Sequence, residues 1–391
     1  MQSLRGPGPL ATHWALDPAV CFLNHGSFGA TPRVVLAAQH ELRERMERDP
    51  VDFMLRFLPR ALDAARERLG AFVGAETGGL AFSHNATTAV NGLLASFPLA
   101  AGDEVLVVDH AYNACRNAAE VIAQRSGARV VVARLPFPTL GSDALFEATL
   151  AAVTPRTRLA LLDHVTSPTA LLLPVDRLVP ALRARGVECI VDGAHAPGML
   201  PLDLTALGAW AYTGNLHKWV CAPKGAAFLS VRADALATAR PSIFGHFAQL
   251  PPAERFRPEH DWLGTCDPTA WLAVPHALDV LESIYPGGAE EARRAMHDKV
   301  VDCRQLLCER LGVAVPCPEA SLGSMATVLL PDRLQADAAT LQERLWTTHQ
   351  LEVPIIPWGN LGEARRWWVR VSMPPYARVE QAAFLADCLG A

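Results

Sequence analysis

Two residues with complementary chemistry close short apolar runs between Glu188 and Val231. Ile190-Val191 leads into Asp192, with Gly193, Ala194 and His195 behind it, and Trp210-Ala211-Tyr212 leads through Thr213, Gly214, Asn215 and Leu216 into His217-Lys218. Short β-rich runs between helical segments read as buried parallel strands, and such sheets bind ligands beyond the strands' carboxyl ends. An acid and an amine therefore reach one rim. Lys218 stands between His217 and Trp219-Val220 with no further charge until Lys224, an unusual setting for a solvated lysine. Isolated Asp and Lys residues are mostly plain surface charges, so the pair takes its meaning from what the other strand ends deliver.

Those ends are supplied by a regular alternation. Strands are expected at Glu104–Val108, ending in Asp109-His110-Ala111-Tyr112, at Arg129–Leu135, and at Arg158–Leu162, ending in Asp163-His164-Val165-Thr166-Ser167. Helical patterns follow them through Ile122, over Asp143–Val153 and over Val175–Arg185. This order implies an α/β fold with a mostly parallel, doubly wound sheet. Earlier, helices are expected at about Val34–Glu47 and Pro59–Phe72. Ala81-Phe82 runs through Ser83-His84-Asn85 into a helix bearing Val90, Leu93, Leu94 and Phe97. A helix start rich in small residues leaves backbone N–H groups open and suits phosphate, although an ordinary capped helix has the same pattern. Beyond a Phe- and Pro-rich connection to Asp267, helices at Ala270–Ile284, Glu290–Leu311, about Ala336–Thr348 and Val379–Leu389 mix with strands at Met325–Leu330, Val353–Ile356 and Trp367–Ser372. The expected organisation is an N-terminal segment (1–20), a large domain (21–268) and a smaller α+β domain (269–391).

At 391 residues the chain is long for one core, and half its residues are hydrophobic with 19% charged, which suits a large buried core. A net charge of -5, mixed along the chain, argues against nucleic acid as a partner. No apolar run reaches the roughly 20 residues of a membrane helix. The start, MQSLRGPGPLATHW, lacks a cationic and apolar leader pattern, so a cytoplasmic location is expected. Nine scattered cysteines without a CxxC read as reduced thiols, and the histidines show no metal-site spacing. Neither a dinucleotide fingerprint, a P-loop nor a Gly-x-Ser-x-Gly elbow lies at a strand-to-helix turn.

A lysine and an acid on neighbouring strand ends, a ring to stack and a phosphate cradle together suit pyridoxal 5'-phosphate. The amine forms a Schiff base with the aldehyde, and the carboxylate keeps the pyridine nitrogen protonated. LNHGSFGATP, NATTAVN, DHAYNACRN, VDGAHAPG, YTGNLHKWVCAPKG and RVSMPPY, in this order, resemble the fold-type I PLP-dependent class V aminotransferase family, and within it the isopenicillin N epimerase-like branch. The resemblance implies Lys218 as Schiff-base lysine and Asp192 as partner of the pyridine nitrogen, with His195 beside the ring and Tyr112 stacked on it. It implies Ala86 and Thr87 at the phosphate helix, Ser167 near the ring oxygen, and His217 beside the lysine. Asn215 stands where relatives carry a serine two residues before the His-Lys pair. Gly264-Thr265 is implied to reach the phosphate of a second subunit, making a homodimer with a shared active site. Arg370 matches the family's substrate-carboxylate arginine, and Asn24, His25 and Ser27 are expected at the pocket mouth.

All reactions of such a site on an amino-acid-like small molecule begin with loss of the α-proton, for which Lys218 is the natural base. Reprotonation on the opposite face, by an acid such as Tyr112 or His25, gives epimerisation. Expulsion of a β-sulfur group gives lyase chemistry, and proton return to the cofactor gives transamination. Cysteine desulfurases need a cysteine on a small-domain loop, and PWGNLGEARRWW has none. The expectation is an epimerase, with a carbon–sulfur β-lyase as the alternative. A non-catalytic protein retaining the fold is the competing class; no added DNA-binding helix or partner tail supports it.

Overall fold

The computed structural model describes residues 5–359 and 363–390. Strand β1 (Cys21–Phe22) and helices α1 (His25–Phe28), α2 (Arg33–Arg48) and α3 (Leu58–Val73) precede the first strand of the large sheet, β2 (Leu80–Ser83). Strand and helix then alternate: α4 (Ala86–Ser96), β3 (Glu104–Val108), α5 (Asn113–Ser126), β4 (Arg129–Ala133), α6 (Ser142–Ala151), β5 (Thr157–Asp163), α7 (Val175–Arg183) and β6 (Glu188–Asp192). Two further strands, β7 (Ala211–Asn215) and β8 (Ala227–Val231), complete this unit. The rest of the chain carries α8 (Val274–Ser283), α9 (Gly288–Leu311), β9 (Met325–Leu329), α10 (Ala338–His349), β10 (Leu351–Glu352), β11 (Ile355–Trp358), β12 (Arg366–Ser372) and α11 (Glu380–Cys388).

The seven-stranded sheet has the order β2-β8-β7-β6-β5-β3-β4. Pairs from β7 through β4 are parallel, and β8 runs antiparallel to both β2 and β7. A sheet covered on both faces needs unbroken apolar strands, and every residue of β3 is buried. The pleat divides them: Leu106, Leu162 and Val191 enter one core, Val105, Leu161 and Ile190 the other. The first core continues into Met325, Val328 and Val371 of the antiparallel sheet β11-β12-β9. Strand β1 pairs with β10 as a separate two-stranded sheet, and the Leu23 carbonyl just after β1 accepts from the Ser372 N–H of β12 at 2.9 Å.

From β3 the chain moves outward to β4 and returns on the other side of β3 as β5, so a crevice opens between the loops that follow β3 and β5. Register brings polar residues level there: Asp163 lies opposite Asp192, and Asp192 opposite Thr213. Strand β8 was not expected from the sequence, which gives no sign of where Ala227–Val231 returns. The single helix expected at Ala270–Ile284 is split into Thr269–Leu272 and α8, because Pro275 contributes no N–H at the junction. No helix among the described residues is long and apolar enough to cross a membrane.

Candidate active site

A cavity of about 660 Å³ lies at the carboxyl edge of the large sheet, and Lys218, Asp192, His195, Tyr112, Ser167 and Thr87 all line it. Asp192 ends β6 with 3% exposure. Its carboxylate accepts from the backbone N–H of Ala194 at 3.0 Å and from the Cys115 thiol at 3.1 Å. Burial, reinforced by that carboxylate, raises the Cys115 thiol far above its ordinary range, so the sulfur acts as a donor here and not as a nucleophile.

Lys218 follows β7, with its Nζ 3.1 Å from Nε2 of His195. Burial, aided by the positive charge of Arg370, lowers this lysine from 10.5 to about 7. Burial and the lysine's own charge hold His195 well below the usual imidazole range. A neutral ring therefore offers Nε2 to the ammonium and carries its proton on Nδ1, and Nδ1 is buried with no partner.

The opposite end of the cavity is the start of α4. Asn85 caps this helix, its Oδ1 accepting from the Thr88 N–H at 2.8 Å. Asn215 uses its Oδ1 on the Ala86 N–H at 2.9 Å, leaving its amide group for the cavity. His217 also lines this end and holds the Ala226 carbonyl through Nδ1 at 3.2 Å. Tyr112 sits just before α5; its N–H is held by Asp163 Oδ1 at 3.1 Å and its ring is 44% exposed.

The N-terminal loop is arranged differently from expectation. Ser27 faces the cavity with Phe28, whereas Asn24 and His25 do not line it. Asn24 is turned to Glu352 of β10, its Nδ2 donating at 3.1 Å, and His25 is fully buried against the backbone of Lys218. Arg370 on β12 is buried behind two cavity residues, donating through Nη1 to the Ser167 carbonyl at 2.5 Å and through Nη2 to Ser27 Oγ at 3.2 Å. Its Nε has no partner. Gly264 and Thr265 are exposed and lie outside the cavity within one chain.

Sequence reasoning did not select Asp163, His84, Thr88 or Cys115. Asp163 had the same signal as Asp192, a carboxylate closing an apolar strand, and the register makes them neighbours. Burial first, and then the Asp192 charge, push its carboxyl well above the ordinary value, which favours the neutral form.

The cavity suits pyridoxal 5'-phosphate on its own terms. It holds a depressed lysine opposite a carboxylate, an exposed ring beside them, and a helix start carrying Thr87 and Thr88. The unpartnered Nδ1 of His195 in its wall suits an oxygen-bearing ligand.

A family model for aminotransferase class V matches residues 22–344. The chain is 38% identical to an isopenicillin N epimerase of Amycolatopsis lactamdurans, over 97% of this chain and 98% of that protein. It is 34% identical to a putative L-cysteine desulfhydrase of rice, Oryza sativa subsp. japonica, over 87% of this chain and 74% of that protein. Among solved structures it resembles a cystine C-S lyase complexed with cysteine persulfide, with a TM-score of 0.77, 20% identity, and coverage of 94% and 96% of the two chains. That last likeness speaks for the fold, which is fold-type I. With this fold, this cavity and a family match over most of its length, the chain belongs to the aminotransferase class-V family of pyridoxal-phosphate-dependent enzymes.

Proposed function

We propose that this enzyme removes the α-proton of an amino acid bearing an extended, peptide-like remainder and returns it on the other face. The supporting observation is the shape of the site. The Lys218–Asp192 cavity shares Tyr112 and Ser167 with a neighbouring one of about 470 Å³, bounded by Asn113, Arg116, Pro168 and Trp358. A substrate no larger than cysteine has no use for that space. The identity to an isopenicillin N epimerase supports the same reading.

Pyridoxal 5'-phosphate, when bound, supplies an aldehyde for the amino group and a ring that accepts electron density from the α-carbon. Lys218 is the residue proposed to anchor it, with Asp192 at the ring nitrogen, Tyr112 against the ring face, and His195 and Ser167 beside its oxygen. Ala86, Thr87 and Asn215 are proposed at the phosphate. A lysine shifted to about 7 is partly uncharged near neutrality, so the freed amine can take the α-proton. Neutral His195 holds Nζ from one side and keeps it in the cavity. Arg370 is proposed to grip the α-carboxylate by exchanging its bonds to Ser27 and Ser167 for charge-assisted ones. Tyr112 is the proposed second acid. His25, buried and facing away, is not.

A carbon–sulfur β-lyase is the second reading, favoured by the identity to a cysteine desulfhydrase. Incubation with isopenicillin N and with L-cysteine in deuterium oxide separates the two. Epimerase chemistry gives inverted, α-deuterated product without pyruvate; lyase chemistry gives pyruvate from cysteine. If neither compound nor any other amino acid exchanged its α-proton, both readings would fail.

We further propose a homodimer in which Gly264-Thr265 of each chain completes the site of the other. Thr265 is exposed, and nearby Met54, Leu55, Phe247 and Trp262 line an apolar groove of about 630 Å³. The division of the chain at 1–20, 21–268 and 269–391 is kept as a proposal, supported by the seven-stranded sheet lying before residue 268 and the three-stranded sheet after it. Nine unpaired cysteines support a cytoplasmic location.

A further inference from the structure

His25 has no exposed surface and does not reach the cavity, yet both its ring nitrogens are engaged. Nε2 lies 3.0 Å from the backbone carbonyl of Lys218, and Nδ1 lies 2.7 Å from the hydroxyl of Tyr376. Chemistry assigns the protons. A carbonyl only accepts, so Nε2 carries the hydrogen. Burial holds the imidazole down at about 3, so the ring is neutral and Nδ1 must accept from the Tyr376 O–H.

Both ends of this relay are anchored. The Tyr376 loop is fixed by Lys299, whose Nζ donates to the carbonyls of Pro374 at 2.7 Å, Pro375 at 3.1 Å and Ala377 at 3.1 Å. At the other end, the Lys218 carbonyl also accepts from the Cys221 N–H at 3.0 Å, closing a turn in which Cys221 takes a left-handed φ of 62°. A residue with a Cβ is strained in that conformation. That turn is held from outside as well. The backbone at Gly29 presses onto it so closely that a Cβ would lie 1.9 Å from the His217 carbonyl oxygen.

We infer that His25 is a positioning residue for Lys218: its Nε2–H pins the lysine's backbone in a strained turn, and Tyr376 fixes the tautomer that can do so. The inference rests on the reading of Lys218 as the working amine. It gives the loop between β12 and α11 a hold on the reactive lysine through two hydrogen bonds, Tyr376 to His25 and His25 to the Lys218 carbonyl.

Three variants test it: Tyr376→Phe, which removes one oxygen, His25→Ala, and His25→Gln, whose amide N–H can reach the same carbonyl. In the cofactor-free protein, the pH midpoint of Lys218 acylation is read by peptide mapping; in the holoenzyme, kcat and KM are read separately. Loosening the turn lets water reach Nζ, so the midpoint is expected to rise toward 10.5 in Tyr376→Phe and His25→Ala. In both, kcat should fall about tenfold with KM little changed, the equivalent of about 1.4 kcal/mol, and His25→Gln should recover part of the loss. An unchanged midpoint and kcat in both Tyr376→Phe and His25→Ala, with only a lower melting temperature, would overturn the inference. Tyr376→Phe decides alone if His25→Ala does not fold. A wild-type enzyme with no cofactor fixed on Lys218 by borohydride would sink the reading of the amine instead, while the acylation midpoint would still report on His25.

Discussion

At the residue scale, two carboxyls lie side by side in the site with different surroundings. Asp192 receives two hydrogen bonds from Ala194 and Cys115, whereas burial and its neighbour's charge raise the Asp163 carboxyl, beside it in register, well above the usual carboxylate range, which favours its neutral form. A protonated carboxyl and an amide are close in shape and charge, so Asp163→Asn should be the milder change. Asp163→Ala removes the acceptor for the Tyr112 N–H. With a hydrogen bond worth about 1 kcal/mol and the part-buried Tyr112 N–H left without it, kcat/KM in Asp163→Ala should fall about fivefold to tenfold below that of Asp163→Asn. Steady-state kinetics of the two variants checks this; equal losses would mean that Asp163 acts as a charge. Asp192 and Lys218 stand out in the sequence because each lies inside a recognisable motif, VDGAHAPG and YTGNLHKWVCAPKG, and not because of residue type and strand-end position alone, which Asp163 shares. Asp163 does not stand out in the same way, because its importance depends on which strands are neighbours. The direction of His25 was not legible at all: a short helix can turn the same ring toward a ligand or toward a backbone carbonyl.

At the element scale, the open helix start is shaped by a residue from another strand. Asn215 on β7 satisfies the Ala86 N–H of α4, which explains how an asparagine serves where relatives are expected to carry serine. Asn215→Asp keeps an oxygen acceptor at that position but brings a negative charge to the proposed phosphate end of the cavity. Thermal stability of the cofactor-free chain should hardly change, while cofactor affinity, measured by fluorescence titration, should fall at least about tenfold through like-charge repulsion. An unchanged affinity would move the phosphate elsewhere. The alternating strands and helices were readable because each carries its own apolar period. Strand β8 and the break before α8 were not, since the first depends on a distant antiparallel partner and the second on one proline inside an otherwise helical pattern.

At the scale of the whole molecule, six histidines are held below their ordinary range, each chiefly by burial: His25, His110, His164, His195, His217 and His260. Each is neutral when folded and takes a proton on unfolding once the pH drops below 6.5. The unfolded chain therefore binds more protons, and stability falls as pH decreases from 6.5 toward about 4 to 3. Urea midpoints for the cofactor-free protein should be clearly lower at pH 5 than at pH 7; a flat profile would mean that these rings gain compensating partners on protonation. Assembly gives a second prediction at this scale. If the groove at Leu55 and Phe247 receives a second copy, Phe247→Asp should sediment as a monomer and lose cofactor affinity together with the partner's Thr265. A variant that stays dimeric, or a monomer with full affinity, would count against the shared site.

Lys218 is the amine proposed to carry the cofactor. Sodium borohydride reduction of the purified holoenzyme, followed by proteolysis and mass mapping, tests it most directly. A pyridoxyl group is expected on Lys218 in the wild type and at no lysine in Lys218→Ala. A pyridoxyl group on another lysine, or its persistence in Lys218→Ala, would contradict it.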